Sequence, residues 1–476
     1  MEHIAVIKDE KNNIKGKLSF SGEESLLLLC EKNDLRPALN CGGAGRCGKC
    51  RVRFEKGAPA PNDADRRFLS PDELRNGIRI LCKCRIKDDV SCVISEKRDL
   101  KVIDKSTALI SWDDAGQDGY FITADIGTTT IAMEGRSVRN GEVLASCNGE
   151  NPQRAFGADV ISRMEAAKRG HDKKLKELVT TFLEKGIEIL RIQCESKGCF
   201  GEPDFMVISA NTAMTHLFMG YPVDDLIRAP FKPYTPHEVR TDIDGIDTYV
   251  IPPFSAFVGG DIRSDAEAVL FDKRDRKKLP PFMIIDMGTN AETVLFDGDK
   301  FYLTAAAAGS AFDGEVNERY ASEAVGLLAA LYKEGRIDVH GAFIEGKNDD
   351  NDVSISGIRN LLLAKAAIKS GTDVLIKKSG IDKAEIENIY LAGGFGFYLD
   401  KEDAKIIGLI SEELTDRIYP GGNLSLAGAA AYGYKIIKGY DRSFPFDFIA
   451  VNLADEDDFN DIFIDNIDLP GEDGIR

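Results

Sequence analysis

The pattern that most constrains this chain is an apolar strand ending in Asp-x-Gly-Thr, which occurs twice about 160 residues apart. The first copy, YFITADIGTTTIAMEG, carries a strand over 120–124 to Asp125, turns through Gly127, Thr128 and Thr129, and leaves in a second strand. The second copy, PFMIIDMGTNAETVLFDG at 281–298, repeats the arrangement with Asp286, Gly288, Thr289 and Asn290. Such a turn presents N–H groups and hydroxyls to phosphate oxygens, while the carboxylate holds Mg²⁺ or a water. A repeated hairpin of this kind points to duplicated lobes that clamp a polyphosphate. Neither copy contains the G-x-x-x-x-G-K-[ST] or G-x-G-x-x-G pattern, which separates the chain from P-loop and dinucleotide-binding folds. A third segment, NIYLAGGFGFYLD at 388–400, ends a strand in Gly393, Gly394 and Gly396. Backbone there could approach a flat ligand such as adenine or ribose; the plainer reading is a tight strand-to-helix turn packed on Phe395 and Phe397. Strand-like runs such as DFMVIS and helix-like runs such as SEAVGLLAALYKEG fill the intervals, as expected of α/β lobes.

A second constraint lies near the start, in CGGAGRCGKC. Cys41, Cys47 and Cys50 can converge in one glycine-rich loop, and thiolates are soft ligands suited to iron. A fourth ligand comes from ILCKC, as Cys82 with Cys84 as the alternative; read as a short strand, that segment points both cysteines to one face. A zinc knuckle or a set of core thiols is the competing interpretation. Around the loop, IAVIKDE and IKGKLSF read as a hairpin, 23–31 as a short helix bearing SLLLLC, and RVRFE and DDVSCVIS as further strands. Cys30, Cys84 and Cys92 read as buried thiols.

The chain has 476 residues, enough for about three domains. A net charge of −18 disfavours nucleic acid and anionic membrane surfaces as partners. No run of eighteen apolar residues is present, so membrane insertion is not expected. The first thirty residues lack the pattern of a signal peptide, and seven of ten cysteines lie before residue 95, so a cytoplasmic location is expected and a disulfide framework is not. Residues 96–118, with the only tryptophan at Trp112, read as a linker. Residues 455–473 alternate acids with Phe459, Ile462, Phe463, Ile464 and Ile467, which suggests a solvated tail anchored by apolar residues, or else a docking segment for a basic partner. His216 and His237 invite a ligand role, but ordinary packing is favoured for His216, between Met214 and Leu217.

The cysteine region resembles a plant-type [2Fe-2S] ferredoxin domain, which implies a beta-grasp fold; the first two ligands are one residue further apart than in the photosynthetic proteins. The Asp125 and Asp286 hairpins, AAAAGSAFDGE at 305–315 and LAGGFG at 391–396 are similar to the phosphate and adenosine elements of the acetate kinase, sugar kinase, Hsp70 and actin superfamily. That resemblance implies two ribonuclease-H-like lobes with ATP and Mg²⁺ between them. Joined to the ferredoxin, and with NPQRAFGADVISRM, SANTAMTHLFMG, AFVGGDI and GGNLSLAGAA, the whole looks like the reductive activators of corrinoid-dependent methyltransferases and corrinoid iron-sulfur proteins. The chain departs from the family pattern at Gly309-Ser310, Asp313 and Ala291, and lacks the domain that longer relatives insert after the ferredoxin.

What the resemblance implies is an α/β multidomain protein: ferredoxin over 1–95, linker over 96–118, first lobe over 119–280, second lobe over 281–446 with its final helix returning to the first, and an acidic segment over 447–476. Asp125 and Asp286 would position Mg²⁺ and water, with Asp159 of FGADV as a further candidate for orienting water, although an isolated acid there more often caps a helix. Gly127, Thr128, Thr129, Gly288, Thr289, Asn290 and Gly309 would bind phosphate. Gly393, Gly394 and Gly396 would border adenosine, and Cys41, Cys47, Cys50 and Cys82 would hold the cluster. The implied reaction is ATP-dependent transfer of one electron from the [2Fe-2S] cluster, reducing Co(II) to Co(I) in a corrinoid protein. An external low-potential donor would recharge the cluster, and a homodimer is expected. A metabolite kinase with a regulatory ferredoxin and a non-catalytic redox sensor are the alternatives.

Overall fold

The computed structural model describes residues 2–9, 12–33, 35, 48, 50–94, 110–288, 290–308, 315–316, 319–346 and 354–471. They fall in two compact units, residues 1–100 with 152–178 and residues 101–151 with 179–476.

In the first unit a five-stranded sheet runs in the order Ile14–Ser21, Glu2–Lys8, Val90–Ile94, Arg51–Lys56, Ile78–Ile80. The first two strands form an antiparallel hairpin, and the first and last long strands of the sequence lie parallel at the centre. Arg51–Lys56 alternates exposed Arg51 and Arg53 with buried Val52 and Phe54, the period of two that seats one face on a core. That core holds Ile7, Leu26, Cys30, Ile80 and Cys92. The helix is Leu26–Glu31, capped by the Ser25 hydroxyl, which accepts from the Leu28 N–H.

ILCKC is not a strand. The sheet strand stops at Ile80, where the Leu81 N–H makes a last bond to the Cys50 carbonyl at 2.7 Å, and Leu81–Lys83 form a turn of 3₁₀ helix closed by the Cys84 N–H on the Leu81 carbonyl at 3.0 Å. Cys82 and Cys84 therefore do not share a pleated face.

The second unit is built on two six-stranded sheets that repeat one plan. In the first, Tyr120–Ile126 pairs antiparallel with Thr130–Ser137, which pairs antiparallel with Val143–Glu150. Met206–Ala210 and then Ile246–Val250 add in parallel on its other side, and Val239–Ile243 closes the edge. In the second sheet Phe282–Met287, Ala291–Phe296 and Phe301–Ala306 make the same antiparallel meander, with Asn388–Ala392 and Ile418–Gly422 parallel on the far side. The central strands are buried almost throughout, which explains their unbroken apolar runs. Asp125 and Asp286 are each the penultimate residue of the first strand of their sheet.

Helices Gly260–Asp272 and Leu424–Lys438 pack on each other, and the latter also lies on Tyr120–Ile126 and Met206–Ala210 of the first sheet. Their approach is close: a Cβ on Gly428 would sit 1.8 Å from the Ser264 carbonyl oxygen.

Two segments differ from their sequence reading. Ile110 and Trp112 are buried; the indole stacks on Phe121 and lies 5.0 Å from Tyr434, and its N–H donates to the Val138 carbonyl, so residues 110–118 belong to the body of the unit rather than to a free linker. The acidic end is likewise ordered. Phe448–Ala450 adds a parallel strand beside Phe301–Ala306, and Phe459–Asp465 is a helix whose Phe459, Ile462 and Phe463 pack on the second-lobe core. The buried Lys365 ammonium donates to the Asn466 and Asp468 carbonyls at 2.6 and 2.7 Å. No helix among the described residues is long and apolar enough to cross a membrane.

Candidate functional site

The duplicated hairpins bring their acids into one cluster within the second unit. Asp125 accepts from Asn423 Nδ2 at 2.9 Å and from the Ser425 hydroxyl at 3.0 Å, both at the start of helix Leu424–Lys438. Ser425 Oγ also lies 2.8 Å from the hydroxyl of Ser209, the residue in register beside Asp125 on the neighbouring strand. Asn211 Nδ2 donates to the Thr128 hydroxyl at 3.1 Å, and the Asn151 amide donates to the Gly127 carbonyl at 2.8 Å, so the first phosphate-type turn is held from both sides. Asn290 closes the second turn, its carbonyl accepting from the Gly288 N–H at 3.0 Å.

Around Asp125 and Asp286 stand three acids that the sequence reading did not assign: Asp261 and Asp265 on helix Gly260–Asp272, and Glu292 on the strand after the second turn. Asp125, Asp261 and Asp286 are partly exposed, while Asp265 and Glu292 are buried behind them. Both Asp265 oxygens lack a hydrogen-bond partner among the described residues. Burial and mutual repulsion raise every member of the group. Burial, then the charges of Asp286 and Asp125, lifts Asp261 to about 8. Burial, then Asp125, lifts Asp286 to about 7. Asp265 and Glu292 are displaced upward for the same reasons, and burial raises Asp125 against its two hydrogen bonds.

Five acids so placed fit a site that expects positive charge from a ligand. Among the described residues no three His, Cys, Asp or Glu side chains converge closely enough to cage a metal. Asp125 and Asp286 are the carboxylates here that could hold a Mg²⁺, an ion commonly bound by one or two carboxylates together with water and substrate phosphate.

Gly393 lies against this cluster. Its φ of +76° is in the left-handed region, and a Cβ there would meet Asp286 Oδ1 at 2.3 Å and the Met287 carbonyl at 2.7 Å. Gly396 is buried in the short helix that follows, and Gly394 is part of that helix. Thr289 and Gly309 lie outside the described residues. Asp159 belongs to the first unit, where it caps helix Val160–Ala166: Oδ1 accepts from the Ser162 N–H at 2.7 Å and Oδ2 from its hydroxyl. His216 is buried on a helix, with Nδ1 against the Pro222 carbonyl at 2.7 Å and Nε2 accepting from the Tyr234 N–H. Burial lowers its pKa, as befits a neutral packed ring.

In the first unit the site is a thiol pair. The Cys82 thiol hydrogen-bonds the Cys50 sulfur and brings its pKa to about 6 against the effect of burial. Cys84 points instead into the core, where burial, then the Asp65 charge, pushes it up to about 12; burial raises Cys92 still further. A thiol lowered by its neighbour, as Cys50 is by Cys82, fits thiolate ligation of iron, and thiols raised by burial, as Cys84 and Cys92 are, do not. Cys41 and Cys47 lie outside the described residues. We expect a Cys82→Ser variant to lose the visible absorption of a reconstituted cluster and Cys84→Ala to keep it. The reverse outcome would make Cys84 the ligand.

Three family models match the chain: a 2Fe-2S iron-sulfur cluster binding domain at 11–87, the RACo middle region at 120–274, and the C-terminal ASKHA domain of RACo at 281–329 and 332–475. A corrinoid activation enzyme, RamQ of Eubacterium limosum, is 27% identical over 383 residues, 66% of this chain and 64% of its own length. A [Co(II) methylated amine-specific corrinoid protein] reductase of Methanosarcina barkeri is 25% identical over 235 residues, 37% of this chain and 43% of its own. Each alignment thus spans less than two thirds of the relative. A solved structure, a reductive activator for corrinoid, iron-sulfur protein, matches with a TM-score of 0.60 at 21% identity, covering 98% of both chains, which shows a shared fold.

Proposed function

Since this chain belongs to the RACo family, carrying the RACo middle region and ASKHA domain behind a 2Fe-2S domain, we propose that it is an ATP-dependent reductive activator of a corrinoid protein. The observation that carries this reading is the presence in one chain of a hydrogen-bonded pair of cysteines, Cys50 and Cys82, and a duplicated phosphate-type hairpin lined with acids. Relatives named for corrinoid activation and for reduction of a Co(II) corrinoid protein support the choice of partner.

Cys50 and Cys82, with Cys41 and Cys47, would hold the cluster, which supplies one electron. Asp125 and Asp286 would hold Mg²⁺ directly or through water; Gly127, Thr128, Thr129, Gly288, Thr289, Asn290 and Gly309 would bind phosphate, and Gly394 and Gly396 would border adenosine. Gly393 would keep backbone close to Asp286. Asp261, raised by burial and then by the charges of Asp286 and Asp125, is the carboxylate we assign to orienting the water that attacks the terminal phosphate, in place of Asp159. Hydrolysis drives reduction only through a difference in affinity: the nucleotide states must bind the Co(II) and Co(I) partners unequally.

The test is anaerobic mixing of pre-reduced protein with a Co(II)-corrinoid protein, with and without Mg-ATP, while following the Co(I) absorption band. Co(I) should accumulate only with Mg-ATP. No Co(I) under any condition, with ATP-dependent phosphorylation of a small metabolite instead, would replace this reading with the kinase.

A further inference from the structure

Charge is distributed unevenly along this chain. Residues 1–95 carry 18 Lys and Arg against 14 Asp and Glu, whereas the whole chain is at −18, so the ferredoxin part is cationic and the remainder strongly anionic. Some of the cations described in residues 1–95 are spent on neighbours: Lys8 pairs with Glu55, Arg51 with Glu73, Arg75 with Asp72 and Arg85 with Glu23. Lys17, Arg53, Lys56, Arg66, Arg67, Lys83 and Lys87 are exposed and have no ion pair among the described residues; of these, Arg66, Arg67 and Lys83 lie on the segments that flank the thiol pair.

These three cations are fixed beside the thiol pair. Helix Asp63–Phe68 is tied to the Cys82 segment by the Asn62 amide, which donates to the Lys83 carbonyl at 3.0 Å, and by the buried Asp65 carboxylate, which accepts from the Ile80 N–H at 2.6 Å. That segment is in turn bonded to Cys50 through the Leu81 N–H. Phe68, at the end of the helix, covers Gly48 of the cysteine loop: a Cβ on Gly48 would meet Phe68 Cγ at 2.6 Å. The Arg67 guanidinium lies over the Phe68 ring, 5.0 Å from its centroid. Lys83 stands between Cys82 and Cys84 in sequence, and its charge acts on Cys50. The anionic partners nearby are already committed, Asp65 to backbone N–H groups and Glu73 to Arg51 and to its helix cap, and exposed Asp63, one turn before Arg66 and Arg67, forms no ion pair with either.

We infer that Arg66, Arg67 and Lys83 form the docking face for the protein that recharges the cluster, and that this donor is a small acidic one-electron carrier. Charge complementarity carries the assignment. Unpaired cations beside the electron-accepting site attract an anionic carrier to the edge where transfer is shortest, while the anionic remainder of the chain repels it elsewhere. One electron leaves the reduced carrier and one enters the oxidised cluster, with no bond made or broken. The inference rests on the ferredoxin part of the reading above and is independent of the corrinoid partner.

The test uses the full-length protein with its cluster and, as probe, a chemically reduced acidic bacterial ferredoxin. Stopped-flow absorbance gives the second-order rate of cluster reduction at low and high salt, and surface plasmon resonance gives the dissociation constant without electron transfer. For wild type the rate should fall by about tenfold or more as salt rises, the range expected of electrostatic steering. Arg66→Glu/Arg67→Glu should lower the low-salt rate by about tenfold, flatten its salt dependence and weaken binding to match. Reduction by dithionite should be unchanged, and the visible spectrum should show the cluster intact. Lys83→Gln should move the same way, which guards against a helix fault in the double variant. Equal rates and affinities for all three proteins would overturn the inference. So would variants that accept electrons normally from the probe yet fail to deliver them to a Co(II)-corrinoid protein, since the face would then serve the acceptor.

Discussion

Asp286→Asn should lower ATP turnover by roughly a thousandfold while making the nucleotide-free protein more stable. The first effect follows from removing a charge that the proposed site directs at the metal and the transferring phosphate, where single preorganised groups are commonly worth about 10²–10³ in rate. The second follows from the cost of crowding acids. Burial, then the neighbouring carboxylates, pushes Asp286 up to about 7 and Asp261 up to about 8 in the folded chain, against an ordinary value of 3.8. Between about pH 4 and pH 8 the folded protein therefore binds more protons than the unfolded chain, and its stability declines as pH rises through that window. Asparagine cannot ionise, so the variant should melt higher than wild type at pH 8, with the difference shrinking towards pH 5. Calorimetry across that range, with a phosphate-release assay at neutral pH, checks both. A variant that hydrolyses ATP within tenfold of wild type would remove Asp286 from the metal site.

Gly428→Ala carries the other large effect. The added methyl would sit 1.8 Å from the Ser264 carbonyl oxygen and 2.2 Å from its carbon, both of them main-chain atoms of the opposing helix. Ordinary C···O contact begins near about 3.3 Å, so the helices must part by about 1.5 Å. Overpacking against backbone should cost about 3 kcal/mol or more. Asn423 and Ser425, which hold Asp125, lie at the start of the displaced helix, so binding of an ATP analogue should weaken as well. A melting temperature within a degree or two of wild type would show that the helices are not held at this distance.

The two hairpins were legible because their signal is local: apolar strand, acid, glycine, threonine. The ferredoxin strands were legible for the same reason, from alternation such as Val52 and Phe54 against Arg51 and Arg53. The acids around the hairpins were not. GDIRSDAEAVLFD has the charge content of a solvated helix, yet residues 262–269 are buried on every side because sheets and a second helix surround them. Only tertiary packing turns Asp265 from a surface residue into a buried one. Glu292 did leave a trace: it shares the period-two face of Val294 and Phe296, and an acid on an apolar face calls for an explanation. The 3₁₀ turn at Leu81–Lys83 is closed by the Cys84 N–H on the Leu81 carbonyl, in a segment whose apolar run reads equally well as a strand. Trp112 was misplaced for a related reason, since its polar neighbours suggested a linker while its own ring is a core group.

The lysine that grips the last turns of the chain reaches main-chain oxygens, not carboxylates. Every residue type offers such an oxygen, so the clasp fixes the route of the backbone without using a side-chain charge, and the Asp468 carboxylate is left to meet His340 at 2.9 Å. An acid-rich ending and a well-fastened one are therefore compatible properties, settled by different atoms of the same residues.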